Sequence, residues 1–332
     1  MRVRALVAVA CLGMAACSGG SAEPAFDAAA VTTTAAAVTS TTATTVPAPA
    51  PPAPPPAAPL AGVQAPVVLS PRGVVLPVAG PEGAGLRVHT PCGRTAVVTQ
   101  GTAVPSAQVV LDPGHGGSEP GAIGPNRLTE KAANSAIAEE AREALAAEGV
   151  SAVLTRTADY RMTLGARARV ATALKPQAFL SVHNNADPDG LHDGPGTETY
   201  YQIRSPQSKR LAGLVYEEVV ATLRPFQLSW VGDTDAGAKY RPNSRGGDYY
   251  GVLRQTAGVT GVLAEYMFIS NGPEADLLAR PDVQAALGQA TARAIVRFLR
   301  TDDPGSGYVE PYPRETPAGP GGGSAGCVDP PL

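Results

Sequence analysis

Short apolar runs alternate with longer amphipathic stretches along most of the chain, and this alternation predicts the fold. Runs rich in Val, Leu and Ala predict buried strands, whereas apolar residues recurring about every four positions predict helices with one buried face. The predicted strands lie at 109–111, 151–155, 178–182, 197–202 and 261–264, and the predicted helices at 128–148, 163–174, 208–223 and 283–299. Strands that alternate with helices specify an α/β fold, here with a mostly parallel sheet flanked by helices.

The segment before this alternation has a different pattern. Short β-type runs separated by Pro and Gly fill residues 67–104 and predict a small N-terminal β hairpin or meander packed on the main domain. Five segments follow from these patterns: a signal peptide with a lipobox-like end at 1–17, a disordered tether at 18–66, the small β segment at 67–104, the main domain at 105–301 and a Pro/Gly-rich tail at 302–332.

The first segment predicts export. Arg2 and Arg4 precede an apolar run at 5–16 that is too short to span a bilayer, as in secretory signals. The small residues directly before Cys17 resemble a bacterial lipobox, in which that cysteine carries the lipid. Ordinary cleavage nearby, with Cys17 unmodified, is the alternative. We therefore expect the protein in the cell envelope, either anchored to the membrane as a lipoprotein or secreted.

The composition of the exported part adds two expectations. The tether at 18–66 is mostly Ala, Thr and Pro, so it lacks the apolar side chains for a core and favours extended geometry. Cys92 and Cys327 are the two cysteines beyond the signal and its lipobox-like end. In an oxidising compartment they are candidates for one disulfide, and two free thiols are the alternative.

The net charge of −3 argues against a nucleic-acid partner, because no basic stripe is present to neutralise phosphates.

Four candidate functional residues lie at the ends of predicted elements. His115, His183 and Glu265 follow strands, and Glu130 lies in the first turn of the helix at 128–148. In open α/β sheets, ligands bind beyond the carboxyl ends of the strands. Two imidazoles and one carboxylate form a three-ligand set typical of catalytic zinc, and a further carboxylate would serve as general base.

Several motifs occur in order between residues 109 and 299. They are Asp-Pro-Gly-His-Gly-Gly at 112–117, Leu-Thr-Glu-Lys at 128–131, Ser-Val-His-Asn-Asn-Ala at 181–186, Gly-Thr-Glu-Thr-Tyr-Tyr at 196–201, Val-Leu-Ala-Glu at 262–265 and Phe-Ile-Ser-Asn at 268–271. This series resembles the zinc-dependent N-acetylmuramoyl-L-alanine amidases of the type-3 amidase family.

The resemblance implies a role for each of the four residues. His115, Glu130 and His183 would bind Zn²⁺, and Glu265 would be the catalytic base. The implied substrate is peptidoglycan, cut at the amide between the lactyl group of N-acetylmuramic acid and L-alanine.

The positions of several other residues near these motifs predict further roles. Asn184, Asn185 and Glu198 are predicted to bind substrate. Orienting the loop is the alternative for the asparagines, and a sheet-edge position is the alternative for Glu198. Tyr266 and Met267, directly after Glu265, are expected to narrow the pocket or change substrate preference.

Two other functions stay open at this point. One is a zinc peptidase that cuts elsewhere in the stem peptide, and the other is a wall-binding module without turnover. The sequence identifies no protein activator.

Overall fold

The computed structural model describes residues 57–312 and 322–332. The predicted signal peptide, Cys17 and residues 18–56 of the predicted tether lie outside the described residues.

The N-terminal β segment is larger than the predicted hairpin or meander. Its strands are β1 (Ala58–Pro59), β2 (Val67–Leu69), β3 (Val75–Glu82), β4 (Gly85–His89), β5 (Thr95–Val98) and β6 (Gln100–Val104). They form one antiparallel sheet in the order β1-β6-β2-β3-β4-β5. Strand β1 lies inside the segment predicted as tether, where Leu60 is only 1% exposed and donates its N–H to the Thr99 carbonyl at 3.0 Å. One buried leucine is too weak a pattern to stand out in an Ala/Pro-rich stretch.

The main domain is built on a second six-stranded sheet. The remaining strands of the chain are β7 (Val109–Pro113), β8 (Ala152–Leu154), β9 (Ala178–Asn185), β10 (Gly190–Leu191), β11 (Glu198–Tyr201), β12 (Val231–Gly232), β13 (Ala238–Lys239) and β14 (Gly261–Phe268). The order in the sheet is β13-β11-β14-β9-β7-β8, while β10 and β12 pair separately.

The predicted α/β class is confirmed, but the central sheet is mixed. Strands β8, β7, β9 and β14 are parallel neighbours, whereas β11 is antiparallel to β14 and carries β13 parallel to itself. Parallel neighbours normally need a crossover helix between them. The connection from β9 to β11 contains no helix, and the chain re-enters the sheet in the opposite direction.

Helices and the N-terminal sheet cover the two faces of the central sheet. The helices are α1 (Glu130–Ala147), α2 (Leu164–Leu174), α3 (Pro206–Leu223), α4 (Gly251–Gln255), α5 (Gly272–Leu278) and α6 (Pro281–Arg300). On β7, Val109 and Leu111 face α1, α3 and α6, whereas Val110 faces α2, α4 and the N-terminal sheet. Both faces are therefore buried, which explains the continuous apolar runs that predicted these strands.

The tail packs back onto the N-terminal half of the chain. The structure joins Cys92 to Cys327 in a disulfide with Cα atoms 5.6 Å apart, one of the two arrangements the sequence left open. Beside it, Asp329 accepts a hydrogen bond from the Cys92 N–H at 2.7 Å and pairs with Arg94 at 2.8 Å.

Among the described residues, no helix combines the length and apolarity that a membrane crossing requires.

Candidate metal centre and active site

The turn after β7 presents His115 at the carboxyl end of the central sheet. His115 has φ 59°, a left-handed conformation that non-glycine residues adopt at a cost of about 1 kcal/mol or more. Gly114 is required beside it, because a Cβ there would lie 2.2 Å from the ring of His183. The strand and the turn together bring the two imidazoles side by side, with ring centroids 5.0 Å apart.

Two buried arginines hold this turn in place through its carbonyl groups. Arg167 donates to the carbonyls of Pro113 at 2.7 Å and His115 at 2.6 Å. Arg156 donates to the carbonyls of Pro113 at 3.0 Å and Gly114 at 2.9 Å. Each of these hydrogen bonds restricts the backbone of the strained turn, so the arginines stabilise the position of the His115 ring.

Glu130 lies between the two histidines at the start of α1. Its Oε2 is 3.0 Å from His115 Nε2, and its Oε1 is 2.9 Å from His183 Nδ1. Backbone N–H groups of Ala122 and Asn184 donate to the same carboxylate at 2.9 and 3.2 Å. We call His115, Glu130 and His183 the ligand triad; their ligand atoms all lie within 4.8 Å of one another.

The electrostatics of the ligand triad favour the protonation states that bind a metal. Burial tends to raise the pKa of Glu130, but the hydrogen bonds from His115 and His183 outweigh it, and the pKa lies well below its usual value. Burial lowers the pKa of His183, although Glu130 opposes this shift. The carboxylate is therefore ionised and the His183 imidazole is neutral at neutral pH, and these are the metal-binding forms of both groups.

Glu265 lies on β14, in the strand next to His183. The backbone register places Glu265 opposite His183 on β9 and opposite Glu198 on β11. Its Oε2 atom is buried and has no hydrogen-bond partner among the described residues. Burial, and then the charges of Glu130 and Glu198, raises the pKa of Glu265 well above its usual value. A carboxyl group of this kind binds a proton more readily than an ordinary glutamate, as a general acid or base requires.

Asn184 lies behind the ligand triad and not in an open cleft. It is 2% exposed, and its side chain donates to Asn134 Oδ1 at 2.9 Å while its N–H donates to Glu130. These contacts fit the alternative role, orienting the loop, and oppose the predicted substrate contact. Asn185 donates to Glu198 Oε2 at 2.5 Å.

Glu198 is fully buried, so the structure opposes both its predicted substrate contact and a sheet-edge position. Strand β11 lies between β13 and β14, and Glu198 forms an ion pair with the buried Lys239. Lys239 also pairs with Asp235 at 2.7 Å. The sequence did not predict that Lys239 pairs with Glu198, because this partner on β11 lies 41 positions earlier in the chain.

Tyr266 and Met267 do not narrow the site, contrary to expectation. Both are buried in the core on the α1/α3/α6 face of the sheet, and the Tyr266 hydroxyl lies 2.6 Å from Thr291 Oγ1 on α6. The irregular register after Glu265 leaves these side chains in the core.

A cleft of about 450 Å³ opens beside the ligand triad. His115 and His183 line it together with an apolar wall that includes Met162, Leu164 and Leu263. Its size falls within the usual range of ligand sites, about 300–1,000 Å³. The cleft therefore borders two members of the ligand triad, His115 and His183.

Known proteins share this arrangement of motifs and fold. Residues 109–297 match the family described as N-acetylmuramoyl-L-alanine amidase. The chain is 33% identical over 211 residues to the uncharacterized protein YqiI of Bacillus subtilis, and the match covers 63% of this chain and 88% of YqiI. It is 32% identical over 215 residues to the N-acetylmuramoyl-L-alanine amidase LytC of the same organism, covering 64% of this chain and 40% of LytC. Among solved structures, Cwp6 from Clostridium difficile has a TM-score of 0.52 at 30% identity, over 59% of this chain and 30% of Cwp6.

Proposed function

Since the chain belongs to the N-acetylmuramoyl-L-alanine amidases, enzymes that act on peptidoglycan, we propose that it is a zinc-dependent member of this family. The bond cut is the amide between the lactyl group of N-acetylmuramic acid and the L-alanine of the stem peptide. We place the enzyme in the cell envelope, after export directed by residues 1–17 and with or without a lipid on Cys17.

The convergence of the ligand triad carries this proposal. Two imidazole nitrogens and one carboxylate, on three separate elements, lie close to one another. The Glu130 side chain is buried, with only 6% of its surface exposed. This donor set fits Zn²⁺, which accepts nitrogen and oxygen ligands and in catalytic sites keeps a position open. His115, Glu130 and His183 would hold the ion, which when bound polarises the substrate carbonyl and lowers the pKa of water.

Glu265 supplies the proton transfers. In its ionised form it accepts a proton from the attacking water while the water oxygen bonds to the lactyl carbonyl carbon. As the carbon–nitrogen bond breaks, Glu265 returns that proton to the alanine nitrogen. The products are a lactyl carboxylate on the glycan and a stem peptide with a free amino terminus. The buried Oε2 atom, which has no hydrogen-bond partner in the described part of the chain, and the raised pKa of Glu265 support this assignment, because a carboxyl with a raised pKa accepts a proton more readily than an ordinary glutamate.

Mass spectrometry of digested peptidoglycan tests the proposal. The exported protein, supplied with zinc, is expected to release stem peptides that begin with a free alanine amine and to leave the glycan strands intact. Fragments cut inside the stem peptide would show a peptidase instead. A folded, zinc-loaded protein that binds the polymer and releases nothing would favour a wall-binding module.

A further inference from the structure

We propose that the C-terminal strap, residues 322–327, forms a wall of the substrate cleft and sets how tightly the cleft binds its substrate. The proposal rests on the proposed function for the identity of the substrate. The amidase match ends at residue 297, so the strap lies outside the part of the chain that resembles the family.

The strap contacts the cleft through Gly322. Gly322 is one of the residues that line the cleft, and its carbonyl accepts a hydrogen bond from the Leu164 N–H at 3.0 Å. A Cβ at Gly322 would lie 2.4 Å from Leu164 Cγ, and the residue has φ +81°. Gly322 therefore sits directly on an apolar side chain of the cleft, at a distance and in a conformation that only glycine permits without strain.

Arg161 ties the strap to the loop that carries His115. It donates to the carbonyls of Ala325 at 2.6 Å and Gly323 at 3.0 Å, and it pairs with Glu119 at 2.7 Å. Glu119 also lines the cleft, and its backbone exchanges two hydrogen bonds with Gly116, at 2.9 and 3.1 Å. The strap is thus joined through the side chains of Arg161 and Glu119 to the turn that presents a member of the ligand triad.

Covalent and ionic anchors hold the far end of the strap. Cys327 is bonded to Cys92, in the turn between β4 and β5 of the N-terminal sheet, and Asp329 pairs with Arg94. A segment without helix or strand is costly to order, and these anchors remove much of that cost before any substrate binds. The wall is therefore preorganised, and its contribution to binding depends on the disulfide.

A pair of glycine substitutions tests whether the strap contributes to substrate binding. Gly322→Ala places a methyl group against Leu164 and displaces the strap from the cleft. Gly323→Ala is the matched control, because a Cβ at Gly323 meets nothing within 4 Å. For a soluble N-acetylmuramoyl pentapeptide, we expect Gly322→Ala to raise KM about tenfold, the effect of losing one small apolar contact. We expect kcat and bound zinc to stay at the wild-type values, and Gly323→Ala to match the wild type throughout.

Cys327→Ser tests the same wall by a second route, since it frees the strap without adding atoms to the cleft. KM should rise as in Gly322→Ala, with assays run well below the melting temperature of each variant. An unchanged KM in both variants, a fall in kcat alone, or a lower KM after release of the strap would overturn the proposal.

Failure of the proposed function is recognised separately. It appears as a wild-type protein that releases no stem peptides from zinc-supplemented digests. In that case, calorimetric titration with the same muramoyl pentapeptide measures whether the strap contributes to binding. Weaker binding by Gly322→Ala than by Gly323→Ala supports the wall, and equal binding overturns it.

Discussion

At the residue scale, two glutamates of the site have opposite acidities because their surroundings differ. Glu130 receives hydrogen bonds from two histidines and two backbone N–H groups, which stabilise its charge. Glu265 has a buried oxygen without a partner and lies close to the charges of Glu130 and Glu198, which destabilise its ionised form. One carboxyl is thus suited to hold a cation and the other to carry a proton.

Conservative substitutions of these two glutamates should therefore impair different properties of the protein, zinc binding in one case and turnover in the other. Glu130→Gln is expected to lose bound zinc, because a neutral amide replaces the ionised ligand. Glu265→Gln is expected to keep zinc and to lose turnover by a factor of about 10²–10⁴, the usual contribution of a general base. Metal analysis and release of stem peptides measure the two effects.

Glu143→Gln is the control for both variants, since this helix residue is largely exposed, with 54% of its side-chain surface accessible. Full turnover in Glu265→Gln, or full zinc content in Glu130→Gln, would contradict the assigned roles.

The candidate ligands were predictable from sequence, whereas the surrounding contacts were not. His115 and His183 follow apolar strands, and the ends of parallel strands meet at one edge of a sheet. The burial of Glu198 depends on Lys239, which lies on a two-residue strand without an apolar pattern of its own. Pairings of this kind depend on which strands become neighbours, and a local pattern carries no such information.

At the element scale, a buried ion pair connects β7 to α2 directly beneath the His115 turn. Asp112 on β7 pairs with Arg167 on α2 at 2.7 Å, and Thr155 and Ser181 donate to the same carboxylate at 2.5 and 2.7 Å. Burial alone would raise the pKa of Asp112, but these partners outweigh it and lower the pKa below its usual 3.8. The ionised form is therefore favoured in the folded state.

This ion pair predicts that the free energy of unfolding decreases at acidic pH. Because the pKa of Asp112 is lower in the folded state, its contribution is fully present above about pH 3.8 and is lost as the pH falls through the native pKa. Asp112→Asn should lose this acid dependence. It should also lower the free energy of unfolding at pH 7 by about 3–5 kcal/mol, because Arg167 stays buried without its partner charge.

Urea unfolding between pH 7 and pH 2 measures both effects, with the exposed Asp193→Asn as control. A wild-type stability that shows no additional loss below pH 3.8 relative to Asp112→Asn would contradict this account.

The direction of β11 shows where prediction of elements stops. Its residues Thr199 and Tyr200 form part of a run rich in β-branched and aromatic residues, so a strand was predictable. The residue pattern of this run fits a strand in either direction. The helix-free connection from β9 is what makes β11 antiparallel to β14. Strand β1 was missed for another reason, since two residues cannot show a period.

At the scale of the whole molecule, the Cys92–Cys327 disulfide closes a loop of 235 residues around the main domain. Loop-closure entropy gives such a crosslink a stabilising contribution of up to about 5 kcal/mol, because it restricts the unfolded chain. The bond also holds the strap, so the same crosslink serves stability and the substrate cleft.

Reduction should therefore lower the melting temperature by roughly 10 °C, if each kcal/mol corresponds to about 2–4 °C in a domain of this size. Thermal unfolding with and without a phosphine reductant measures the shift. The double variant Cys92→Ser/Cys327→Ser should melt at the lower temperature under both conditions. Two alkylatable thiols in freshly prepared, unreduced protein would contradict the pairing.

The position of this disulfide would also simplify oxidation of the chain if the predicted export takes place. Four cysteines allow three ways to form two bonds. Removal of the predicted signal would discard Cys11, and a thioether-linked lipid on Cys17 would withdraw that sulfur from thiol exchange. Cys92 would then have a single partner, so no scrambled isomer would exist for an isomerase to correct. Under these two conditions a simple oxidant would suffice to form the bond, once Cys327 has joined Cys92 in the same compartment.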